Sequence, residues 1–121
     1  MSDTQKNFYK KLLGSVGEKT AVKFLKKKKY KILKTNQVTP FGEIDIIAKN
    51  GEYLVFLEVK ARKDDSFGTP REAVTEQKQR HIKNSAKFYI QKENLFDEKI
   101  RFDVIEVFLE NGEVNHIENA F

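Results

Sequence analysis

The sequence predicts a single α/β domain, a central mixed sheet flanked by two helices in the order α-β-β-β-α-β-β. Three observations carry this. Apolar residues recur at helical spacing before residue 30 and again after residue 70. Between these stretches lie two β-rich apolar runs joined by Asn50-Gly51. An alternating run follows the second helical stretch and ends in Asn111-Gly112.

Residues from about 6 to 29 read as the first helix, because Leu12, Leu13, Val16, Ala21, Val22 and Leu25 fall near helical spacing. Gly14 and Gly17 mark places where that helix would break or begin. Residues 30–36 suit a short strand, and Thr39-Pro40-Phe41-Gly42 a loop. Residues 43–49 and 53–61 are strands, with Asn50-Gly51 the strongest short hairpin signal in the chain. Residues 62–68 form a polar loop. Thr69-Pro70-Arg71-Glu72 then offers an N-cap, a proline at the first helical position and a capping-box glutamate. The helix it opens runs to about Lys92, with Ile82, Ala86, Tyr89 and Ile90 on one stripe. Residues 100–109 alternate as a strand, with Phe102, Val104 and Phe108 assigned to the core. Asn111-Gly112 turns the chain into a last short strand at 114–117. No repeat or linker divides the chain, so residues 1–121 are expected to form one domain.

Composition narrows the chemistry. Hydrophobic residues make up 39% of the 121, ten of them Phe, which suffices for one modest core. No apolar run approaches the roughly 20 residues of a membrane helix, and the N-terminus has no apolar signal region. A cytoplasmic location is the resulting expectation. The absence of cysteine excludes disulfides, thiolate zinc sites and cysteine nucleophiles. His81 and His116 are too few for a histidine-rich centre and read as surface or packing residues. Any metal must therefore be held by carboxylates, which points to a hard cation such as Mg²⁺ or Mn²⁺.

The formal net charge of +5 is unevenly placed. Residues 1–34 hold eleven lysines against two acids, a net +9; the remainder holds twelve basic and sixteen acidic residues, a net −4. The densest part is Lys26, Lys27, Lys28 and Lys29. Such a surface attracts a polyanion, most simply nucleic acid. Taken alone, the lysines equally suit a solvated helix end, where they favour the C-terminal dipole.

Local charge is more informative. Asp45 stands inside the apolar run Ile44-Asp45-Ile46-Ile47-Ala48, and Glu58 and Lys60 stand near the end of Leu54-Val55-Phe56-Leu57-Glu58-Val59-Lys60. Near-continuous apolar runs indicate strands covered on both faces, where a charge is expensive unless paired or bound to a metal. The two-residue period puts Leu54, Phe56, Glu58 and Lys60 on one face. A two-residue Asn50-Gly51 turn pairs Lys49 with Glu52, Asp45 with Phe56 and Glu43 with Glu58. Asp45, Glu43, Glu58 and Lys60 then share a face, and Asp45 and Glu58 become diagonal neighbours about 7–8 Å apart at the backbone. The ordinary alternative is an amphipathic hairpin with a solvated polar face, or a Glu58–Lys60 ion pair. The first explains Glu43 but leaves Ile47, Leu54 and Phe56 in water beside Asp45 and Glu58. Glu18 adds an acid to the inward stripe of Ala21, Val22 and Leu25, unless it serves as a cap near a helix start.

The combination Gly17-Glu18-x-x-Ala21, Gly42-Glu43-Ile44-Asp45, Glu58-Val59-Lys60-x-Arg62, Arg101-Phe102-Asp103 and Asn119-Ala120-Phe121 resembles the small, uncharacterised bacterial YraN family. The resemblance runs from about Gly14 to Phe121. It implies a restriction-endonuclease-like fold, with archaeal Holliday junction resolvases as the nearest functional relatives. It further implies that Asp45, Glu58 and Lys60 occupy the metal and catalytic positions, and that Glu18 matches the helix acid of the resolvase branch. The residue before Asp45 is Ile44 rather than the superfamily's proline, which many members lack.

The expectation is a Mg²⁺- or Mn²⁺-dependent endonuclease hydrolysing phosphodiester bonds in DNA, branched DNA included. Asp45 and Glu58 would bind the metal with the Val59 carbonyl as a third oxygen ligand. Lys60 would orient a water or stabilise charge on the phosphate. Lys26 to Lys29, Arg62, Lys63, Arg71 and Lys78 would contact the nucleic acid. Lys78 also suits a snorkelling lysine at the edge of the core. The alternatives are a nucleic-acid-binding module of the same fold without catalysis, and a protein-interaction domain. A junction resolvase would be expected to form a homodimer, although no heptad seam announces one.

Overall fold

The computed structural model describes residues 2–63 and 74–121. The elements follow in the expected order: α1 (Asp3–Lys27), β1 (Lys31–Thr39), β2 (Gly42–Asn50), β3 (Tyr53–Arg62), α2 (Glu76–Lys92), β4 (Lys99–Phe108) and β5 (Val114–Ile117). The five strands form one mixed sheet in sequential order. All neighbours are antiparallel except β3 and β4, which run parallel and are connected through α2. Among the described residues no helix is long and apolar enough to cross a membrane.

The first helix is unbroken, despite Gly14 and Gly17. It starts earlier than its apolar spacing suggests because Ser2 and Gln5 form a reciprocal capping box. Gly17 is there for proximity: a Cβ at that position would lie 3.1 Å from the Ala61 Cβ, so α1 sits directly on β3. The helix ends in a Schellman motif, with Lys29 at φ 70° and the Tyr30 N–H bonded to the Leu25 carbonyl.

The second helix begins at Glu76, capped by the Thr75 side chain, which accepts the Lys78 N–H. The expected start at Thr69 and Pro70 lies outside the described residues. The expected helix from there through Val74 is nevertheless corrected, because Val74 and Thr75 are not helical.

Each helix covers one face of the sheet. Ala21 and Leu25 of α1 pack with Ile46, Ala48, Val55, Leu57, Ile105 and Val107. Ala86 and Tyr89 of α2 pack with Ile44, Ile47, Leu54 and Phe56. Strand β4 is therefore buried on both sides. Ile105 and Val107 are as enclosed as Val104, while Phe102 and Phe108 are only half-buried.

The β2–β3 hairpin forms as expected, but its frame differs. Asn50 pairs with Tyr53, so the turn residues are Gly51 and Glu52, and Gly51 carries the positive φ of 59°. Ile47, not Asp45, opposes Phe56. The shift is two residues, so Ile47 keeps the face of Leu54 and Phe56. The alternation of β2 breaks beyond Ile46, because Ile44 joins Ile47 under α2 while Ile46 and Ala48 pack under α1. The shift brings Glu58 level with Asp45 rather than diagonal to it. The bulge in the sheet lies elsewhere, between Ile32 and Lys34 of β1.

Candidate metal centre

The paired ladder of β2 and β3 extends to Ile46 and Leu57. At the next position the Asp45 side chain takes over: its Oδ2 accepts the Val59 N–H at 2.8 Å. The Val59 N–H thus supports the Asp45 carboxylate. This bond fixes the Asp45 carboxylate between the strands.

Glu58 is the most enclosed acid of the group, with its side chain 5% exposed. Its Oε1 lies 3.6 Å from both Lys60 Nζ and Lys78 Nζ. Its Oε2 is buried and has no hydrogen-bond donor among the described residues. Burial, and then the facing Asp45 carboxylate, push the Glu58 pKa up to about 7, against the two lysines. Burial also raises Asp45, although the Val59 N–H and Glu58 hold it back. Burial is the first cause of both shifts, and the Asp45 charge adds to it at Glu58. A proton shared between the two carboxylates, or a cation, supplies what Oε2 lacks.

Glu18 comes to the same place from α1. Oxygens of Glu18, Glu43 and Asp45 all lie within 4.8 Å of one another. Burial raises the Glu18 pKa; the Asn36 side chain opposes this by hydrogen bonding, and Asp45 and Glu43 reinforce it. Asn36 lies level with Asp45 on β1 and has φ 52°, a left-handed conformation that asparagine tolerates better than most residues. No periodicity signals such a residue; only the pairing of β1 with β2 places it. Three acids from α1 and β2, Glu18, Glu43 and Asp45, thus converge, and Glu58 of β3 adjoins Asp45 with Lys60 and Lys78 beside it. The three carboxylates of Glu18, Glu43 and Asp45, with the buried Glu58 Oε2 beside Asp45, suit a hard divalent cation.

The expected nucleic-acid contacts divide. Lys78 reaches the carboxylates rather than merely edging the core. Lys63 is exposed just beyond β3. Arg62 turns inward instead, its Nε 2.6 Å from Glu106 Oε2 and its side chain only 10% exposed, so it is committed to an ion pair in the sheet. Arg71 lies outside the described residues. Lys26 to Lys29 stand at the far end of α1, about 12–16 Å along the helix from Glu18 at 1.5 Å per residue. Of these, Lys28 Nζ is engaged 2.9 Å from His116 Nδ1.

His116 is neither a surface nor a simple packing residue. Its Nε2 lies 2.7 Å from Asp103 Oδ2, and Arg101 holds the same carboxylate through Nε and Nη2. Burial opposes ionisation of Asp103, but His116, Arg101 and the Asn119 N–H hold its carboxyl below the usual range. Arg101, Asp103 and Asn119 of the sequence pattern thus join β4, β5 and the C-terminal residues through one carboxylate.

Residues 17–107 match the family model described as "Uncharacterised protein family UPF0102". A "UPF0102 protein" of Caldicellulosiruptor saccharolyticus is 47% identical over 116 residues, covering 93% of this chain and 98% of its own. One from Acetivibrio thermocellus is 45% identical over 120 residues, covering 93% and 92%. One from Clostridioides difficile is 49% identical over 108 residues, covering 89% and 95%.

Proposed function

We propose that this chain, which belongs to the uncharacterised protein family UPF0102, is a metal-dependent nuclease that hydrolyses phosphodiester bonds in DNA. The observation that carries the reading is the buried Glu58 Oε2, which has no hydrogen-bond partner among the described residues, beside an Asp45 that clusters with Glu18 and Glu43. A purely structural ion pair has no use for so many acids around so few cations. The resemblance to the YraN family, and through it to the restriction-endonuclease-like fold and the junction resolvases, points the same way.

Asp45 and Glu58 would hold Mg²⁺ or Mn²⁺, with Glu18 and Glu43 close enough to contribute directly or through water. The bound cation would supply Lewis acidity to the phosphate and acidify a nearby water. The Val59 N–H holds one Asp45 oxygen and so keeps the carboxylate oriented. Lys60 and Lys78 offset the pocket's negative charge and stand where they can stabilise charge growing on the phosphate oxygens. Lys63 and the lysines at the end of α1 would track the DNA backbone at a distance from the chemistry.

The test is incubation of the purified protein with linear and branched DNA in Mg²⁺ and in Mn²⁺. Cleavage that needs the metal and disappears in Asp45→Asn and Glu58→Gln is expected. Binding without cleavage in either metal would leave the non-catalytic binding module in its place.

A further inference from the structure

We infer that Phe41 is a stacking platform for an unpaired nucleobase beside the phosphate held at the carboxylates, so that the substrate class is nucleic acid with unpaired bases next to the cut. This rests on the nuclease reading above and adds the feature that such a site would recognise.

Strands β1 and β2 are joined by a two-residue turn, Pro40-Phe41, with Thr39 paired to Gly42. The turn is held from inside. The Thr39 hydroxyl accepts the Phe41 N–H at 3.1 Å and donates to the Gly42 carbonyl at 2.9 Å. It also lies 2.8 Å from the hydroxyl of Ser85, a fully buried residue of α2. Gly42 adopts φ 137°, which a residue with a Cβ rarely does. The backbone at this tip is therefore fixed to the core.

The side chains it presents are not covered. Phe41 is 50% exposed and the neighbouring Val38 70%. A single exposed apolar residue needs no explanation. Position makes this one different. Phe41 lies two residues before Glu43 and four before Asp45 on the same chain segment, no farther than about 7 and 14 Å of extended chain. His81, on the exposed side of α2, approaches the same turn within 4.0 Å of a Cβ built at Gly42.

An exposed aromatic ring on an anchored turn, close along the chain to carboxylates that would hold a metal-bound phosphate, offers a π-face at little entropic cost. Bases within a duplex are already stacked on both sides and cannot use it. Unpaired, flapped or splayed bases can, and each such stack is a substantial, sequence-tolerant contribution.

The chain contains no tryptophan, so Phe41→Trp introduces a single fluorescent reporter. The experiment titrates wild type, Phe41→Trp and Phe41→Ala with oligothymidylate and with a duplex of equal length, in Ca²⁺ to suppress cleavage. Oligothymidylate is expected to quench the introduced indole, and the duplex is not. Phe41→Ala should weaken oligothymidylate binding by about fivefold to a hundredfold and leave duplex binding unchanged. The Mn²⁺-induced rise in melting temperature should be the same in all three, because the metal ligands are untouched. Unquenched fluorescence in a bound complex, equal quenching by both DNAs, or unchanged affinity in Phe41→Ala overturns this inference alone. If wild type binds neither DNA, the nuclease reading fails and takes the inference with it. If Phe41→Ala converts a dimer to a monomer in sedimentation, the tip is a contact between copies and the inference is overturned.

Discussion

Asp45 Oδ2 accepts the Val59 N–H at 2.8 Å, at the position just past the last paired residues of β2 and β3. A side chain thus replaces a rung of backbone pairing. That substitution turns an acid out of the β2–β3 ladder while keeping it fixed, and it brings Asp45 level with Glu58. The expected behaviour of the protein follows from this pair.

Glu58→Gln should abolish divalent-metal binding while leaving the metal-free fold as stable as wild type or firmer. Neutralising one of two facing carboxylates relieves their repulsion but removes a ligand. Wild type should gain about 2–3 kcal/mol from Mn²⁺ at a hundredfold excess over Kd, and the variant nothing. Thermal melts with and without Mn²⁺ measure both. A variant that melts several degrees lower, in a wild type indifferent to Mn²⁺, would mean that Glu58 serves Lys60 and Lys78 structurally.

Stability of the metal-free protein should fall as pH rises from about 4.5 to about 7. Glu58 ionises near 4.5 when unfolded but near 7 when folded, because burial and the Asp45 carboxylate oppose its charge. Across that window the folded state holds the extra proton, so raising the pH favours unfolding, by roughly 3 kcal/mol in all. Asp103 acts with the opposite sign, but only below its ordinary value of 3.8. Denaturation midpoints in EDTA should decline through this window in wild type and decline less in Glu58→Gln. Midpoints that climb instead contradict the assignment.

Nucleic-acid binding should weaken steeply with salt, since counterion release scales with the phosphates neutralised. The lysines at the end of α1 motivate this. Lys26→Glu, Lys27→Glu and Lys29→Glu together should lower affinity and flatten the salt dependence; Lys28 is left intact because it is engaged with His116. Affinity that is indifferent both to salt and to this triple reversal would remove these lysines from the interface.

Gly51→Val should destabilise the fold by at least about 1 kcal/mol, because Gly51 holds φ at 59° in the turn and a β-branched residue resists the left-handed region. Chemical denaturation gives the difference directly. An unchanged midpoint would show that the turn accommodates a different frame, and the Asp45–Glu58 juxtaposition would then need to be redetermined.

The sequence by itself determined the order of the elements and the faces of β3. The period of two belongs to the extended backbone, so Glu58 and Lys60 fall on the face of Leu54 and Phe56, but it does not carry through β2, where Ile44 joins Ile47 under α2 while Ile46 packs under α1. An acid on the inward stripe of α1 was legible for the same reason, from the helical period. Tertiary structure decided the rest. Turn frame and packing, not periodicity, set the register that puts Asp45 level with Glu58. The unbroken α1 depends on the Ser2–Gln5 cap and on the close seat of Gly17 against Ala61. Long side chains were the least legible. Lys78 reaches Glu58 from another element, Arg62 folds back onto Glu106, and His116 is drawn inward by Asp103. A charged group on a flexible stem takes its position from partners far away in sequence, and those exist only once the sheet has assembled.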